Sequence, residues 1–230
     1  MNIPIIGSVM ISCEERTPFR EQTLSSIAAS DFSGNPLEVV FDHEVCGPSL
    51  TRKQSRQELV AHWALRKALS SAWDFILFLE DDVAVNRYLL HNLVSWPVLR
   101  AVNLASLYNP NVAGPGGQSP DSTAYVANPE RVYGSQAFLM SRACAAHCLD
   151  RWYSVAGMQD IKLSRLSAEL GPIFYHSPSL VQHTGTKSTW TSDNRFHTAP
   201  DYDPDWQRCL GDKSPDAACV PRPEHTTQKP

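Results

Sequence analysis

A short apolar run that ends in three consecutive acids constrains the fold of this chain more than any other feature. The run covers residues 75–79 in the stretch WDFILFLEDDVAV, and its length and continuous apolar character are typical of a strand buried on both faces of a parallel sheet. The acids that follow, Glu80, Asp81 and Asp82, would repel one another at such a strand end unless a cation lay beside them. Because ligands bind at this edge of open α/β sheets, the pattern indicates a divalent metal ion that holds a phosphorylated ligand. The alternative is that a surface loop simply begins there.

The elements predicted around this strand indicate an α/β domain with a mostly parallel central sheet flanked by helices. Strands are predicted at 3–12 and 37–41, and a helix follows each of them, at 19–29 and from about 49 to about 72. Together with the strand at 75–79 they give the order β-α-β-α-β, which is typical of a Rossmann-like sheet. Further strands are predicted at 101–107, 123–127, 136–140 and 173–176, and further helices at 87–94, 141–152 and 157–170.

Two polar segments interrupt or follow this pattern. Residues 109–122 have almost nothing to bury, so they form either a mobile flap near the site or a solvated surface loop. Prolines, charges and few apolar residues mark 199–230 as a C-terminal tail that either wraps the domain or is disordered. Residues 1–198 are enough for one domain with a substantial core, since 42% of the chain is hydrophobic.

Charge and hydropathy disfavour two classes of protein. The net charge is −4 and no long positive run is present, so we expect no nucleic-acid partner. No stretch approaches the roughly 18 apolar residues that a membrane span requires, and the amino terminus does not resemble a signal peptide. The six cysteines match neither a disulfide framework nor a zinc motif. We therefore expect a cytoplasmic protein with mostly buried thiols; the alternative is a soluble lumenal fragment, in which Cys209 and Cys219 could pair.

An ordered set of motifs resembles a GT-A glycosyltransferase. The set comprises SCEER at 12–16, a strand that ends in Asp42, ILFLEDD at 76–82, YGSQ at 133–136 and the acid Asp160. In addition, PSLVQHTG at 178–185 is similar to a stretch of the N-acetylglucosaminyltransferase IV family. The resemblance covers about residues 3–190 and implies a nucleotide-binding half at 1–108 and an acceptor and catalytic half at 109–198. No acceptor-binding region is matched, and the chain is short for the eukaryotic branching enzymes.

The resemblance implies a metal ion, Mn²⁺ or Mg²⁺, at the acids that take the place of the family's DXD motif. Asp82 is the implied direct ligand, and His183 is a further candidate. A hard divalent ion bound by carboxylate and diphosphate oxygens would stabilise a nucleoside diphosphate leaving group. Imidazole beside carboxylate suits Mn²⁺ better than Mg²⁺. A lone histidine is more often structural, and this alternative stays open.

Five further residues are candidates for binding the donor. Asp81 would face the sugar or the ribose, and Arg16 and Asp42 follow two successive strands where the nucleobase and ribose would lie. Arg52 begins a helix and could approach phosphate, and Lys187 could fold over the diphosphate. Solvated surface positions are the alternative for these basic side chains.

Asp160 is the candidate catalytic base. It follows a glycine turn at a predicted helix start and resembles the base position of inverting GT-A enzymes, where a carboxylate removes the proton of the acceptor hydroxyl. The alternative is an acid that stabilises the helix dipole.

These features together predict a metal-dependent glycosyltransferase that moves a hexosyl or N-acetylhexosaminyl group from a UDP-sugar to an acceptor hydroxyl, with inversion favoured. The acceptor would be a glycan, a glycoconjugate or a small molecule. One alternative is a module that binds a nucleotide-sugar without turnover. A nucleotidyltransferase is less favoured, because CEERTPF at 13–19 contains none of the glycines of a phosphate loop.

Overall fold

The computed structural model describes residues 3–47, 49–50, 52–110, 123–132, 134–185 and 197–209. In chain order its strands are β1 (Ile6–Ser12), β2 (Leu37–Phe41), β3 (Phe75–Glu80), β4 (Val83–Val85), β5 (Leu104–Ser106), β6 (Ala124–Ala127), β7 (Ala137–Ser141), β8 (Ile173–His176) and β9 (Val181–His183). Its α-helices are α1 (Thr17–Ala28), α2 (Asp42–Val45), α3 (Lys53–Leu69), α4 (Leu89–Val94), α5 (Arg142–Asp150) and α6 (Gln159–Ala168).

Seven of these strands form one sheet in the order β2-β1-β3-β7-β5-β8-β6. Strand β1 lies between β2 and β3 and is parallel to both, as the β-α-β-α-β order predicts. Beyond β3 the sheet is mixed: β7 is antiparallel to β3 and β5, and β6 is antiparallel to β8, whereas β5 and β8 are parallel. The expected parallel arrangement therefore holds for the amino-terminal half. An apolar run predicts that a strand is buried but does not reveal its direction, which depends on the connection.

Strand β3 is buried on both faces, as its apolar run predicts. Ile76 and Phe78 pack into the core cluster that contains the buried residues of α3, α5 and α6. Leu77 and Leu79 point to the opposite face and pack with residues of α1 and α4. All four side chains are fully buried, and each such burial contributes roughly 1.5–3 kcal/mol. The helix layers on both faces thereby fix the position of the acids that follow β3.

A small second sheet lies beside the end of β3. Strand β4 begins after Asp81 and Asp82, the two residues that follow β3. It pairs antiparallel with β9, so that Val83 lies opposite His183. Thr23 in α1 holds this turn, because its hydroxyl donates to the Val83 carbonyl at 2.8 Å and accepts from the Val83 N–H at 2.9 Å. The pairing of β4 with β9 brings a distant part of the chain to the acids.

Residues 197–209 pack against the domain. Asn86, which is fully buried, donates to the carbonyls of Asp203 at 2.8 Å and Trp206 at 2.9 Å. Trp206 also packs on the core cluster of α1 and α4. The described part of the predicted tail therefore wraps the domain, and residues 210–230 lie outside the described ranges, as do 111–122 of the predicted flap.

Two further expectations concern the state of the cysteines and the presence of a membrane-spanning helix. Cys46, Cys144 and Cys148 are buried free thiols, and Cys13 is a partly exposed one. Cys209 is disulfide-bonded, as the alternative of a pairing with Cys219 allowed, and Cys219 itself lies outside the described residues. Among the described residues, no helix has the length and apolar character needed to cross a membrane.

Candidate active site

The acid cluster (Glu80, Asp81 and Asp82) lies at the edge of the sheet where β1 and β3 both end. Because these strands are parallel, the last residue of β1 reaches the acids: the Ser12 hydroxyl donates to Asp81 Oδ2 at 2.6 Å. On the other side, β9 places His183 Nε2 3.1 Å from Asp82 Oδ2. The structure thus brings together Asp81, Asp82 and His183, which the sequence predicted to share a site.

The cation that the structure places beside these acids is the guanidinium of Arg16. Its Nε donates to Asp81 Oδ1 at 2.6 Å, and its Nη2 donates to Asp82 Oδ2. The three side chains are 15%, 5% and 7% exposed, so the ion pairs are largely shielded from water. Arg16 was expected to contact a nucleobase. In this structure it neutralises the acids, and its contact with a nucleobase stays a prediction.

Burial acts to raise the pKa values of both Asp81 and Asp82, and ion pairing acts to lower them. Burial raises the pKa of Asp81, and the charge of Arg16 opposes this effect only in part. Burial also acts to raise the pKa of Asp82, but the hydrogen bond with His183 and the charge of Arg16 outweigh it, so the pKa of Asp82 is lowered. Asp82 is therefore the more readily ionised of the two.

Glu80 has a different environment from its two neighbours. Burial of its carboxyl group and the nearby charge of Asp82 raise the pKa of Glu80 to about 7, although the hydrogen bond from Ser135 acts in the opposite direction. Ser135 Oγ donates to Glu80 Oε1 at 2.5 Å, and Gln159 Nε2 donates to Ser135 Oγ at 2.8 Å. Ser135 and Gln159 are each 1% exposed. Sequence reasoning did not assign a role to either residue, although Ser135 lies in the YGSQ motif.

Asp160 lies in the first turn of α6 and faces the same segment. Its Oδ2 accepts from the Gly134 N–H at 2.9 Å, and Gly134 has φ +81°, a left-handed conformation that glycine adopts without strain. The negative charge of Asp160 also contributes to the raised pKa of Glu80. The predicted base and the acid cluster are therefore neighbours.

The other predicted donor-binding residues have partners of their own. Asp42, the first residue of α2, forms an ion pair with Arg56, whose Nη2 is 2.5 Å from Asp42 Oδ2. Arg52 is exposed, and its Nη2 donates to Gln54 Oε1 at 3.3 Å. Lys187 lies outside the described residues. Asp42 still belongs to the same edge of the sheet, since its charge and that of Asp81 both add to the effect of burial in raising the pKa of Cys13 to about 11.

Two features of the site fit a divalent metal ion. Asp82 Oδ1 is buried and has no hydrogen-bond partner in the described part of the chain, whereas buried carboxylate oxygens normally have one. Gly185 lets the backbone approach closely, because a Cβ atom there would lie 2.2 Å from Asp82 Oδ2 and 2.7 Å from His183 Nε2. Within the described ranges, no group of three His, Cys, Asp or Glu side chains is arranged to hold a metal. The candidate ligands that the described residues offer are the carboxylate of Asp82 and the imidazole of His183, a pair that would suit Mn²⁺.

Comparisons with known proteins address the fold. No protein-family model matches the chain, and neither does any curated protein. Among solved structures, S. aureus TarS matches 79% of this chain with 14% identity and a TM-score of 0.50, and the match covers 37% of TarS. Residues 1–349 of TarS match 76% of this chain with 15% identity and a TM-score of 0.50, and 59% of that fragment is covered.

A third structure, a glycosyltransferase involved in the glycosylation of the major capsid of PBCV-1, matches with 11% identity and a TM-score of 0.48 over 80% of this chain and 95% of that one. The matches to TarS, together with the seven-stranded sheet flanked by helices, show that the chain has the α/β fold of the GT-A glycosyltransferases.

Proposed function

We propose that this chain is a metal-dependent glycosyltransferase that transfers a sugar from a UDP-sugar to an acceptor hydroxyl with inversion. The observation that carries the proposal is the buried Asp82 Oδ1, which has no hydrogen-bond partner among the described residues and lies beside His183 at the ligand-binding edge of a GT-A sheet. A buried carboxylate oxygen without a partner is unfavourable by itself. A bound cation would satisfy it.

Asp82 and His183 are the residues proposed to hold the metal ion, which when bound supplies Lewis-acid stabilisation of the UDP leaving group. Asp81 is oriented by the Ser12 hydroxyl and by Arg16, and its proposed partner is a hydroxyl of the ribose or the sugar. Diphosphate oxygens and water would complete the coordination.

Asp160 is proposed to act as the general base. The Gly134 N–H donates to Asp160 Oδ2 and so orients the carboxylate. The carboxylate would take the proton of the acceptor hydroxyl as the hydroxyl oxygen attacks the anomeric carbon. Attack from the face opposite to the leaving UDP inverts the configuration at that carbon. The position of Asp160 beside the acid cluster, rather than on a remote helix, supports this role over a purely structural one.

The similarity of residues 178–185 to the N-acetylglucosaminyltransferase IV family suggests UDP-linked N-acetylhexosamines as the first donors to test. A thermal-shift panel of UDP-sugars with and without Mn²⁺ should show stabilisation that requires both components. An assay of UDP release with the best donor should then show turnover that stops when EDTA is added. Turnover that is unchanged by EDTA would contradict the metal-dependent mechanism.

A second candidate function is a module that binds a nucleotide-sugar without turnover. The ion pairs of Arg16 favour it, because they already neutralise the acids without a metal ion. Calorimetry with UDP and Mn²⁺ separates the two functions: binding together with UDP release supports the transferase, and binding without any release of UDP from UDP-sugars supports the module.

A further inference from the structure

We propose that Arg16 is a displaceable counter-ion that determines when the site accepts a divalent cation. Arg16 and the cation would compete for Asp82, so that the cation enters together with a diphosphate ligand and binds weakly alone. The inference rests on the metal site of the proposed function, but it concerns metal affinity and does not require that the sugar or the acceptor be known.

The geometry makes the two cations alternatives at one carboxylate. Arg16 Nη2 and His183 Nε2 both contact Asp82 Oδ2, and Asp82 Oδ1 is left buried without a partner in the described residues. A metal ion at Asp82 beside His183 would lie next to the Arg16 guanidinium, and two cations with little water between them repel strongly. Arg16 must therefore turn away from Asp82 when the metal ion binds.

Two features hold Arg16 near the site after it leaves Asp82. Its guanidinium lies over the Phe19 ring, 5.0 Å from the ring centroid, and its Nε is bonded separately to Asp81. A guanidinium binds phosphate oxygens in a bidentate manner, so the diphosphate that arrives with the metal offers Arg16 a replacement partner. A metal ion that arrives alone offers none.

Removal of Arg16 should have opposite effects on the empty protein and on metal binding. In Arg16→Met the buried carboxylates lose their counter-ion, which destabilises the metal-free protein. The same change removes the competitor, so calorimetry with MnCl₂ alone should show affinity about tenfold or more above that of the wild type. Added Mn²⁺ should therefore raise the melting temperature of Arg16→Met by more than it raises that of the wild type.

The second arginine–aspartate pair of this edge of the sheet supplies a matched control. Arg56→Met breaks the ion pair with Asp42, so it should lower the melting temperature without changing the Mn²⁺ affinity. Arg16→Lys keeps the charge but loses the fork that contacts both acids, so its Mn²⁺ affinity should lie between those of the wild type and Arg16→Met. The double variant Arg16→Met/Asp82→Asn should lose the gained affinity.

Equal Mn²⁺ affinity of the wild type, Arg16→Lys and Arg16→Met, or no binding by any of them, would overturn the proposal. Tighter Mn²⁺ binding by Arg16→Met together with no turnover of any UDP-sugar would uphold it and refute the transferase activity. The two conclusions are therefore tested separately.

Discussion

At the scale of single residues, three adjacent acids have three different sets of partners. Glu80 is held by Ser135, Asp81 by Ser12 and Arg16, and Asp82 by Arg16 and His183. Burial raises the pKa values of Glu80 and Asp81 despite these partners, whereas at Asp82 the hydrogen bond with His183 and the charge of Arg16 outweigh burial and the pKa is lowered. The acids are chemically distinct, and a substitution of each should have a distinct effect.

Asp82→Ala should abolish Mn²⁺-dependent UDP release, because it removes the carboxylate proposed to bind the metal ion. Steady-state measurement of UDP release with and without Mn²⁺ checks this. Asp31→Ala is the control, since Asp31 accepts hydrogen bonds from the N–H groups of Leu90 and His91 and should lower stability while UDP release persists. Normal turnover by Asp82→Ala would refute the metal assignment.

Asp160→Asn should retain UDP and Mn²⁺ binding but reduce transfer by about 10²–10⁴-fold, the usual contribution of a general base. Calorimetry and a transfer assay on the same preparation separate the two effects. Ser164→Ala is the matched control, because Ser164 is buried on the same helix and its hydroxyl donates to the Ile161 carbonyl at 3.2 Å. Equal losses of binding and transfer in Asp160→Asn would indicate a structural role.

At the scale of elements, the segment 134–135 links the end of β3 to the start of α6 through hydrogen bonds. The Gly134 N–H binds Asp160, and the Ser135 hydroxyl binds Glu80 and accepts from Gln159. The segment therefore contacts both the end of the strand that carries the acid cluster and the start of the helix that carries the predicted base. These contacts set the position of Asp160 relative to the acid cluster.

Ser135→Ala should lower kcat for transfer while the affinity for UDP with Mn²⁺ stays the same, because the acids that hold the donor keep their other partners. Loss of the donor to a buried carboxylate should also lower the free energy of unfolding by about 1–3 kcal/mol. Kinetics, calorimetry and urea unfolding measure the three quantities. A change in KM alone, with kcat preserved, would count against a positioning role.

At the scale of the whole molecule, the segment 197–209 closes over the face that carries α4. Fully buried Asn92 donates to the Trp206 carbonyl at 3.0 Å and accepts from the Arg208 N–H at 2.8 Å. His176 lies beneath, with its ring centroid 4.8 Å from that of Trp96 and 5.7 Å from that of Trp206. Polar side chains in the interior thus hold a segment that has few apolar residues of its own.

Asn92→Ala should lower the free energy of unfolding by about 1–3 kcal/mol, because it removes the acceptor of the Arg208 N–H and one of the two side-chain donors to the Trp206 carbonyl. It should also raise hydrogen exchange in residues 197–209, which mass spectrometry of peptides would detect. Asn35→Ala is the control, since the Asn35 amide donates to the Phe32 carbonyl within a local turn away from residues 197–209. Unchanged exchange in Asn92→Ala would show that other contacts hold the segment.

Acid should destabilise the protein partly through His176. Burial lowers the pKa of His176 to about 4, although its hydrogen bond to the Pro178 carbonyl acts in the opposite direction. The neutral form is favoured in the folded state, so its contribution is fully present above the unfolded pKa of about 6.5 and is lost as pH falls toward 4. The loss amounts to roughly 3 kcal/mol.

Urea unfolding between pH 7 and pH 4 measures this contribution. His176→Asn should be less stable than the wild type at pH 7, because it loses ring contacts with two tryptophans, but its stability should fall less steeply toward pH 4. The same slope in both proteins would exclude His176 as a source of acid sensitivity.

The sequence by itself determined most of the elements and the position of the acids, although the short elements α2 and β4 were not predicted. The apolar run of β3, the alternation of strands and helices before it and the polar breaks between them are local patterns, so they can be recognised without the fold. These patterns placed Glu80, Asp81 and Asp82 at the edge of a buried strand, and the structure has them there.

Only the tertiary structure decided how the side chains at that edge pair with one another. Arg16 contacts acids 65 and 66 residues away, and His183 contacts Asp82 across 101 residues. Such contacts depend on the parallel pairing of β1 with β3 and the antiparallel pairing of β4 with β9, which local periodicity does not encode. For the same reason the bridge through Ser135 and the role of Arg16 as counter-ion became visible only in the folded chain.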